Sequence, residues 1–149
     1  MNRMFALATL AASLTLANTA FAVDTTPTVT SPDLAAVRTA IKAKDWKVAI
    51  TDLNSMIDQG VQHADVYNLL GFSLRKSGDH KTALTYYRKA LDFDPNHKGA
   101  LEYQGELYVE TGEIAKAQAN LAQLAKLCPG GCEEREDLEK ALAAAPKTN

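Results

Sequence analysis

The chain has 149 residues, a formal net charge of -2 and 46% apolar residues, which fits one globular domain. Its charges are mixed and no Lys/Arg cluster exceeds a pair, so the basic patch typical of nucleic-acid-binding proteins is missing. Aromatic residues make up only 7% of the chain, and the abundant Ala favours helices over a β-rich core.

The first 22 residues have the composition of a secretory signal peptide. Arg3 precedes an uncharged and largely apolar run, and Ala20-Phe21-Ala22 supplies the small-x-small pattern of a cleavage site. Thr, Ser and Asn dilute the run, whereas an uncleaved anchor needs about 20 strongly apolar residues. We therefore expect signal cleavage, a periplasmic or secreted mature protein, and no stable membrane insertion after cleavage. A Thr/Pro-rich, flexible lead-in is expected over residues 23–31.

A period of 34 residues is the strongest pattern in the chain. Self-alignment at this offset superposes small residues, apolar residues and turn residues at once, as expected for stacked helical repeats. The coinciding sets are Ala49, Ala83 and Ala117; Leu53, Tyr87 and Leu121; Lys44, Gly78 and Gly112; Gly71 and Gly105; and Pro95 and Pro129.

The first copy, before residue 64, predicts two helices. Ser31-Pro32 is expected to supply the cap and first-turn residue of its first helix. Lys44 stands at the turn where the later copies have Gly. Atypical residues are expected in a terminal repeat, because one of its sides faces solvent.

The second copy shows the helix pair most clearly. Apolar residues recur every three or four positions in both halves, which is the spacing of one helix face. Gly78 can adopt a left-handed C-terminal conformation, and Asp79 can cap the helix that follows. Gly71 opposite Ala83 would let the two helices approach closely, so a Leu at either position should cost about 1–3 kcal/mol through overpacking.

The pattern resembles the tetratricopeptide repeat family. The second copy carries the resemblance through Tyr67, Leu70, Gly71, Leu74, Gly78, Ala83, Tyr87, Ala90 and Pro95. The third carries it through Gly105, Tyr108, Gly112, Ala117, Leu121 and Pro129, and departs from it at Gln104 and Leu124. The resemblance implies an all-α solenoid of three helix-turn-helix units, and a concave groove that holds a peptide or partner helix.

A last amphipathic helix, residues 132–145, is predicted to cap the third unit. Its acidic cluster, Glu133, Glu134, Glu136 and Asp137, reads as a solvated face near the helix start, where acids suit the helix dipole. The predicted organisation is a signal peptide (1–22), a flexible lead-in (23–31), repeats over 32–129 (about 30–63, 64–97 and 98–131), the capping helix (132–145) and a tail (146–149).

Cys128 and Cys132 are the only cysteines of the chain. An even pair in an exported protein favours a structural disulfide. The spacing differs from the redox motif C-x-x-C, and neither Met nor His stands beside the pair to help bind a soft metal. A thiol-redox or metal-handling role for the pair remains the alternative.

Other residues give no indication of catalysis or of a cofactor. The regular spacing of His63, His80 and His97 is better explained by the repeat than by a metal site, and His63 and His97 are expected in exposed links between repeats. Phosphate-loop, serine-hydrolase and zinc-protease motifs are missing from the sequence. We expect neither enzymatic activity nor a cofactor.

The resemblance implies that the first helix of each unit lines the groove. The residues there that lie off the buried stripe are Arg38, Lys42, Asp65, Asn68, Phe72, Arg75, Lys76, Glu102, Tyr103, Glu106 and Glu110. The groove should run from basic to acidic with both aromatics exposed, although these charges could instead pair with one another. Leu34, Leu69, Gly99 and Tyr103 occupy places where family members that clamp a terminal carboxylate need polar or basic groups, so that mode is not expected.

The leading hypothesis is a non-enzymatic protein- or peptide-binding adaptor or assembly factor in the cell envelope, acting through this groove.

Overall fold

The computed structural model describes residues 31–146, and this part of the chain contains seven α-helices and no strand. The predicted all-α class is confirmed. The predicted signal peptide, the lead-in up to residue 30 and the tail after Pro146 lie outside the described residues. The helices are α1 (Ala35–Lys42), α2 (Trp46–Asp58), α3 (Ala64–Lys76), α4 (His80–Phe93), α5 (Lys98–Glu110), α6 (Ile114–Leu127) and α7 (Glu133–Ala144).

The 34-residue period reappears as backbone geometry at the turn inside each helix pair. Gly78 and Gly112 have φ of 94° and 78°, and Lys44 has φ of 59° at the equivalent place. A left-handed backbone is costlier for Lys than for Gly, so the first pair retains the turn at an energetic disadvantage. The turn geometry is therefore common to all three pairs.

Short acidic side chains begin the helices after the first two of these turns. A carboxylate oxygen of Asp45 accepts from the Val48 amide at 3.1 Å, and one of Asp79 accepts from the Thr82 amide at 3.1 Å. The expected start of α1 at Ser31-Pro32 is wrong. The helix begins at Ala35, because the Asp33 carboxylate accepts from the Ala35 amide at 3.0 Å and directs the chain into its first turn there.

Each helix packs against its neighbours in sequence, and α5 also packs against α3 and α7. This arrangement places α3, α5 and α7 along one face of the stack. A core of buried aliphatic residues, including Val37, Leu53 and Leu70, joins the first pair to α3. No helix in residues 31–146 is long and apolar enough to cross a bilayer.

The matched glycines of α3 and α5 close against different partners. A β-carbon at Gly71 would lie 2.7 Å from the Tyr87 ring and 3.2 Å from the backbone oxygen of Ala83, so the predicted close approach of α3 and α4 is present. At Gly105 it would lie 2.6 Å from a methyl group of Leu138 on α7. Since Leu138 is fully buried, α7 is seated on α5 through this glycine.

Gln104, a departure from the family pattern, has a local explanation. Its side chain is buried, and its Oε1 accepts from Asn120 Nδ2 at 3.1 Å. The same amide nitrogen donates to the Leu101 carbonyl at 2.9 Å. A polar link between α5 and α6 thus occupies the site, since buried polar groups must find partners.

Candidate functional site

Residues from the four odd-numbered helices line one cavity of about 300 Å³, which we call the acidic cavity. Arg38 on α1, Asp65 and Asn68 on α3, and Glu102 and Tyr103 on α5 all reach it. These five belong to the groove proposed from sequence, so the fold brings them together. The helix row α1, α3, α5, α7 therefore forms the candidate groove.

Phe72 and Tyr103 begin the second part of the groove, which we call the aromatic–arginine cluster. Their rings lie 4.7 Å apart, centroid to centroid, and the Trp46 ring meets Phe72 edge-on at 6.0 Å. Both predicted aromatics are half-buried rather than exposed, because the neighbouring rings cover one side of each. Lys76 is exposed, with its Nζ 5.4 Å from the Phe72 ring centroid.

Arg75 lies beneath these rings instead of projecting into the groove. Only 3% of its side chain is exposed. The guanidinium donates to the Tyr103 carbonyl at 2.9 Å and to the Glu106 carboxylate, and its Nε lies 3.7 Å from a Glu110 oxygen. The sequence-based assignment of Arg75 as a partner-contacting residue is therefore corrected: its charge is used to join α3 to α5.

The expected gradient from basic to acidic is changed by this pairing. Glu106 and Glu110 face Arg75 rather than a free acidic end. Arg38 and Lys42 are both exposed on α1, and Arg38 stands at the edge of the acidic cavity. The unpaired acidity of the groove is consequently concentrated around Glu102.

Glu102 is the most unusual ionisable group in the groove. It is 7% exposed, and within residues 31–146 neither a hydrogen bond nor an ion pair reaches its carboxyl group. Burial, reinforced by the negative charges of Glu106, Asp137 and Glu134, raises its pKa to about 8. A carboxyl group in this position holds a proton near neutral pH until a cation or a donor approaches.

His63 and His97 cap helices rather than standing exposed in links. His63 Nδ1 accepts from the Asp65 amide at 3.2 Å, and His97 Nδ1 accepts from the Ala100 amide at 3.0 Å. The other ring nitrogen of His97 lies 2.9 Å from Asp65 Oδ1. The expected exposure is thus wrong, since these contacts leave 24% and 15% of the two side chains exposed.

Residues 64–97 match a family model described as tetratricopeptide repeat, and residues 100–131 match a second model with the same description. The two stretches contain the α3–α4 and α5–α6 pairs. This chain contains tetratricopeptide repeats. Repeats of this family generally act as non-enzymatic adaptors, so they imply protein partners.

Curated proteins resemble part of this chain. Two are named uncharacterized protein ycf37: the one from Pyropia yezoensis is 34% identical over 68 residues, covering 46% of this chain and 38% of the relative. The one from Guillardia theta is 33% identical over 70 residues, covering 47% and 39%. A probable biofilm formation methyltransferase, WspC from Pseudomonas putida, is 32% identical over 85 residues, covering 57% and 20%. The aligned part spans less than two fifths of each relative's length.

The helix after the tetratricopeptide repeats contributes groove residues that sequence reasoning missed. Glu133, Glu134 and Asp137 of α7 line the acidic cavity, whereas the sequence predicts a solvated face for the acidic cluster. Only Glu136 of that cluster lies on the exposed side without lining the cavity. The 34-residue period contained the missing signal, because Leu138 stands one period after Gln104 and α7 therefore stacks like the first helix of another repeat.

Trp46 was also missed. The prediction drew groove residues only from the first helix of each tetratricopeptide repeat, but Trp46 is the first residue of α2. The turn at Lys44 returns the chain toward α3, which brings the indole to Phe72.

Cys128 and Cys132 lie in the connection between the third helix pair and α7. Their sulfur atoms are 2.06 Å apart, at disulfide distance, and their Cα atoms are 6.0 Å apart. Within residues 31–146, no group of three His, Cys, Asp or Glu side chains converges as a metal site.

Proposed function

We propose that this protein is an adaptor or assembly factor that holds a segment of a partner protein along the groove formed by α1, α3, α5 and α7. The observation that carries the proposal is the acidic cavity, which all four helices line and which contains buried polar groups without internal partners. Gln104 and Asn120, by contrast, pair with each other, and outside the cavity the unpartnered buried side-chain atoms within residues 31–146 are Arg75 Nε and the Tyr87 hydroxyl.

The aromatic–arginine cluster supports the same proposal. Phe72 and Tyr103 form a half-exposed aromatic surface that is fixed from below by Arg75 and Glu106. Rigid aromatic side chains are enriched at the energetic centres of protein interfaces, because they bury a large area at a small entropic cost. An extended or helical segment could rest on these rings while its neighbouring side chains reach the acidic cavity.

We further propose that the protein works in the periplasm or outside the cell. The support is the sequence of residues 1–22, with Arg3, the apolar run and Ala20-Phe21-Ala22. The thiol-redox or metal-handling alternative at Cys128 and Cys132 gains no support from the comparisons or from the surroundings of the pair.

Site-specific photo-crosslinking in the native cell tests the groove. A photoreactive amino acid replaces Lys76, which is exposed beside Phe72, or Val48, which is 44% exposed on α2 and does not line the acidic cavity. We expect a discrete adduct from position 76 that is weakened by Phe72→Ala, and none from position 48. Equal adducts from both positions, or an adduct at 76 that survives Phe72→Ala unchanged, would show that the groove is not the binding surface.

A further inference from the structure

The acidic cavity has a strong imbalance of formal charge. Arg38 is the only Lys or Arg among the residues that line it. Five carboxylic acids line the same volume: Asp65, Glu102, Glu133, Glu134 and Asp137. A cleft rimmed by one sign of charge concentrates ions of the opposite sign, so the cavity is suited to a cation.

Internal partners neutralise only part of this charge. Asp65 accepts from His97, and Asp137 pairs with Lys140 at 2.8 Å, at the surface. Lys98 Nζ lies 3.8 Å from a Glu134 oxygen. The two lysine pairs are exposed and therefore contribute little. Glu102, the most buried of the five acids, has no partner among residues 31–146.

Asn68 provides an independent indication that a donor is missing. The side chain lines the cavity and is only 4% exposed, yet its Oδ1 has no hydrogen-bond partner within residues 31–146. Gly99 lies directly beside it, since a β-carbon there would come within 3.2 Å of Asn68 Nδ2. Two nearly buried acceptors, Glu102 and Asn68, thus line the same small volume without a donor, an arrangement that costs stability unless a ligand supplies one.

We propose that the acidic cavity receives the cationic head of a lysine or arginine side chain carried by the partner segment. The inference rests on the proposed function and specifies the chemistry of the partner. A guanidinium offers five N–H donors and an ammonium three, enough to serve more than one acceptor of the cavity at once.

A basic side chain fits the cavity better than a divalent metal ion. Calcium requires six to eight oxygen ligands at roughly 2.3–2.6 Å, and magnesium requires a compact octahedron. No three acidic, His or Cys side chains within residues 31–146 converge on one such point. The acids instead surround a volume of about 300 Å³, which has room for a side-chain head and part of its stem.

Binding should be linked to the proton on Glu102. The charged and titratable groups that face it are Arg38 of α1, Asp65 and Arg75 of α3, His97 at the start of α5, Tyr103 and Glu106 of α5, and Glu133, Glu134 and Asp137 of α7. Burial and the acids among these groups raise the pKa of Glu102 to about 8, so a cation must displace its proton at neutral pH. Affinity should therefore increase about tenfold between pH 7 and pH 9, in proportion to the ionised fraction.

A pair of peptides that differ only in charge tests the inference. The full-length protein is titrated with acetyl-Gly-Arg-Gly-amide and with the citrulline analogue, while backbone amide shifts are followed by NMR. We expect saturable shifts at Gly99, Glu102 and Asp137 with the arginine peptide and none with the citrulline peptide. Identical responses to the two peptides, or no response to either at millimolar concentration, would overturn the proposal.

Variants and ions assign the effect to the cavity. At pH 9, where Glu102 is ionised, Glu102→Gln and Asp137→Asn should each weaken the arginine peptide about tenfold, because each removes a charged acceptor. Glu102→Gln should also abolish the increase of affinity with pH, whereas Glu136→Gln, at an exposed acid next to Asp137 on α7, should change neither. If CaCl2 or MgCl2 saturates the same amides at submillimolar concentration, the cavity is an ion site and the proposal is wrong.

The outcomes separate this inference from the proposed function. If position 76 still crosslinks a partner while the arginine peptide fails to bind, the groove holds a partner of different chemistry and only the present inference is lost. If the arginine peptide binds but Phe72→Ala leaves the crosslinked adduct unchanged, the cavity binds cations and the proposal of an adaptor groove is wrong.

Discussion

The aromatic–arginine cluster and the acidic cavity bury charge in opposite ways. In the first, the Arg75 side chain is 3% exposed, and it donates hydrogen bonds to the Glu106 carboxylate and to the Tyr103 carbonyl. In the second, Glu102 is 7% exposed and receives no partner within residues 31–146. The Arg75 charge is paired within the chain, although its Nε makes no hydrogen bond within residues 31–146, whereas the Glu102 carboxyl group awaits the cation that we propose.

The physical reason for the contrast is the cost of taking a charge out of water. A buried charge is tolerated when an opposite charge and hydrogen bonds replace its hydration, which is the case for Arg75. Without them the group becomes neutral, and the raised pKa of Glu102 is that response. One part of the candidate groove is therefore a fixed platform, and the other is the proposed receptor.

Truncation of Leu138 should have the largest effect on stability, because this side chain holds α7, one wall of the acidic cavity, against α5. Leu138 is fully buried against Leu101, Leu124 and the hollow at Gly105. Leu138→Ala should lower the free energy of unfolding by about 3 kcal/mol, the typical loss for a buried leucine that leaves a cavity. Urea unfolding followed by far-ultraviolet circular dichroism measures this loss.

Lys140→Ala is the matched control on the same helix. Lys140 has 71% of its side chain exposed, and its surface pair with Asp137 should contribute less than about 0.5 kcal/mol. A Leu138→Ala loss below about 1 kcal/mol would mean that α7 is loosely attached. The acidic cavity would then lack a fixed wall, and the comparison with the aromatic–arginine cluster would fail.

Arg75→Met tests the platform part and should have the next largest effect. It retains much of the packing but leaves the Glu106 carboxylate and the Tyr103 carbonyl without their donor. Breaking a fully buried pair costs about 3–5 kcal/mol, and since Glu106 remains 23% exposed to water we expect about 2 kcal/mol here. Thermal unfolding at several urea concentrations gives this difference.

Two further variants assign the loss to the pair. Lys76→Met makes the same substitution on the adjacent exposed residue and should stay within about 0.5 kcal/mol of the native protein. Adding Glu106→Gln to Arg75→Met should recover part of the stability, because the unpaired negative charge is gone. A double variant that is as unstable as the sum of the two single variants would contradict the pairing.

The fold was predictable because the same turn geometry recurs every 34 residues along the chain. Gly78 and Gly112 mark their turns by residue type, and Lys44 could be placed only by its offset of 34 residues, since nothing local marks a left-handed lysine. The disulfide partners were predictable because the chain has only two cysteines.

The position of the candidate groove residues along one row of helices was predictable in outline, but their electrostatics were not. Helix periodicity shows that Arg75 and Glu102 leave the main apolar stripe, but not that neighbouring helices bury both of them. Whether a charge is paired depends on contacts between α3, α5 and α7. Arg75, for example, is 28 or more residues away in sequence from the groups that accept its hydrogen bonds. Glu134 and Asp137 escaped notice for the same reason, because they become groove residues only when α7 stacks on α5.

Glu102→Gln should cause the smallest change of the three substitutions below about pH 4.5, where the carboxyl group is protonated in both the folded and the unfolded chain. The way this change grows with pH tests the receptor part selectively. The pKa of Glu102 is raised from its ordinary value of 4.5 to about 8 by burial first and then by neighbouring acids. Between these values the folded protein binds a proton that the unfolded chain has released, so the stability contributed by this group decreases as the pH rises and is lost above pH 8. A glutamine does not titrate, so its contribution to stability does not change with pH. The two proteins should therefore be nearly equal in stability at low pH, and the variant should become the more stable one toward pH 9.

Urea unfolding at each pH gives the difference in the free energy of unfolding between the two proteins. Glu136→Gln is the exposed control, and its stability should follow that of the native protein throughout. A constant difference from pH 5 to pH 9 would mean that Glu102 is ionised in the folded state, with its charge already balanced inside the chain, and the contrast with Arg75 would disappear.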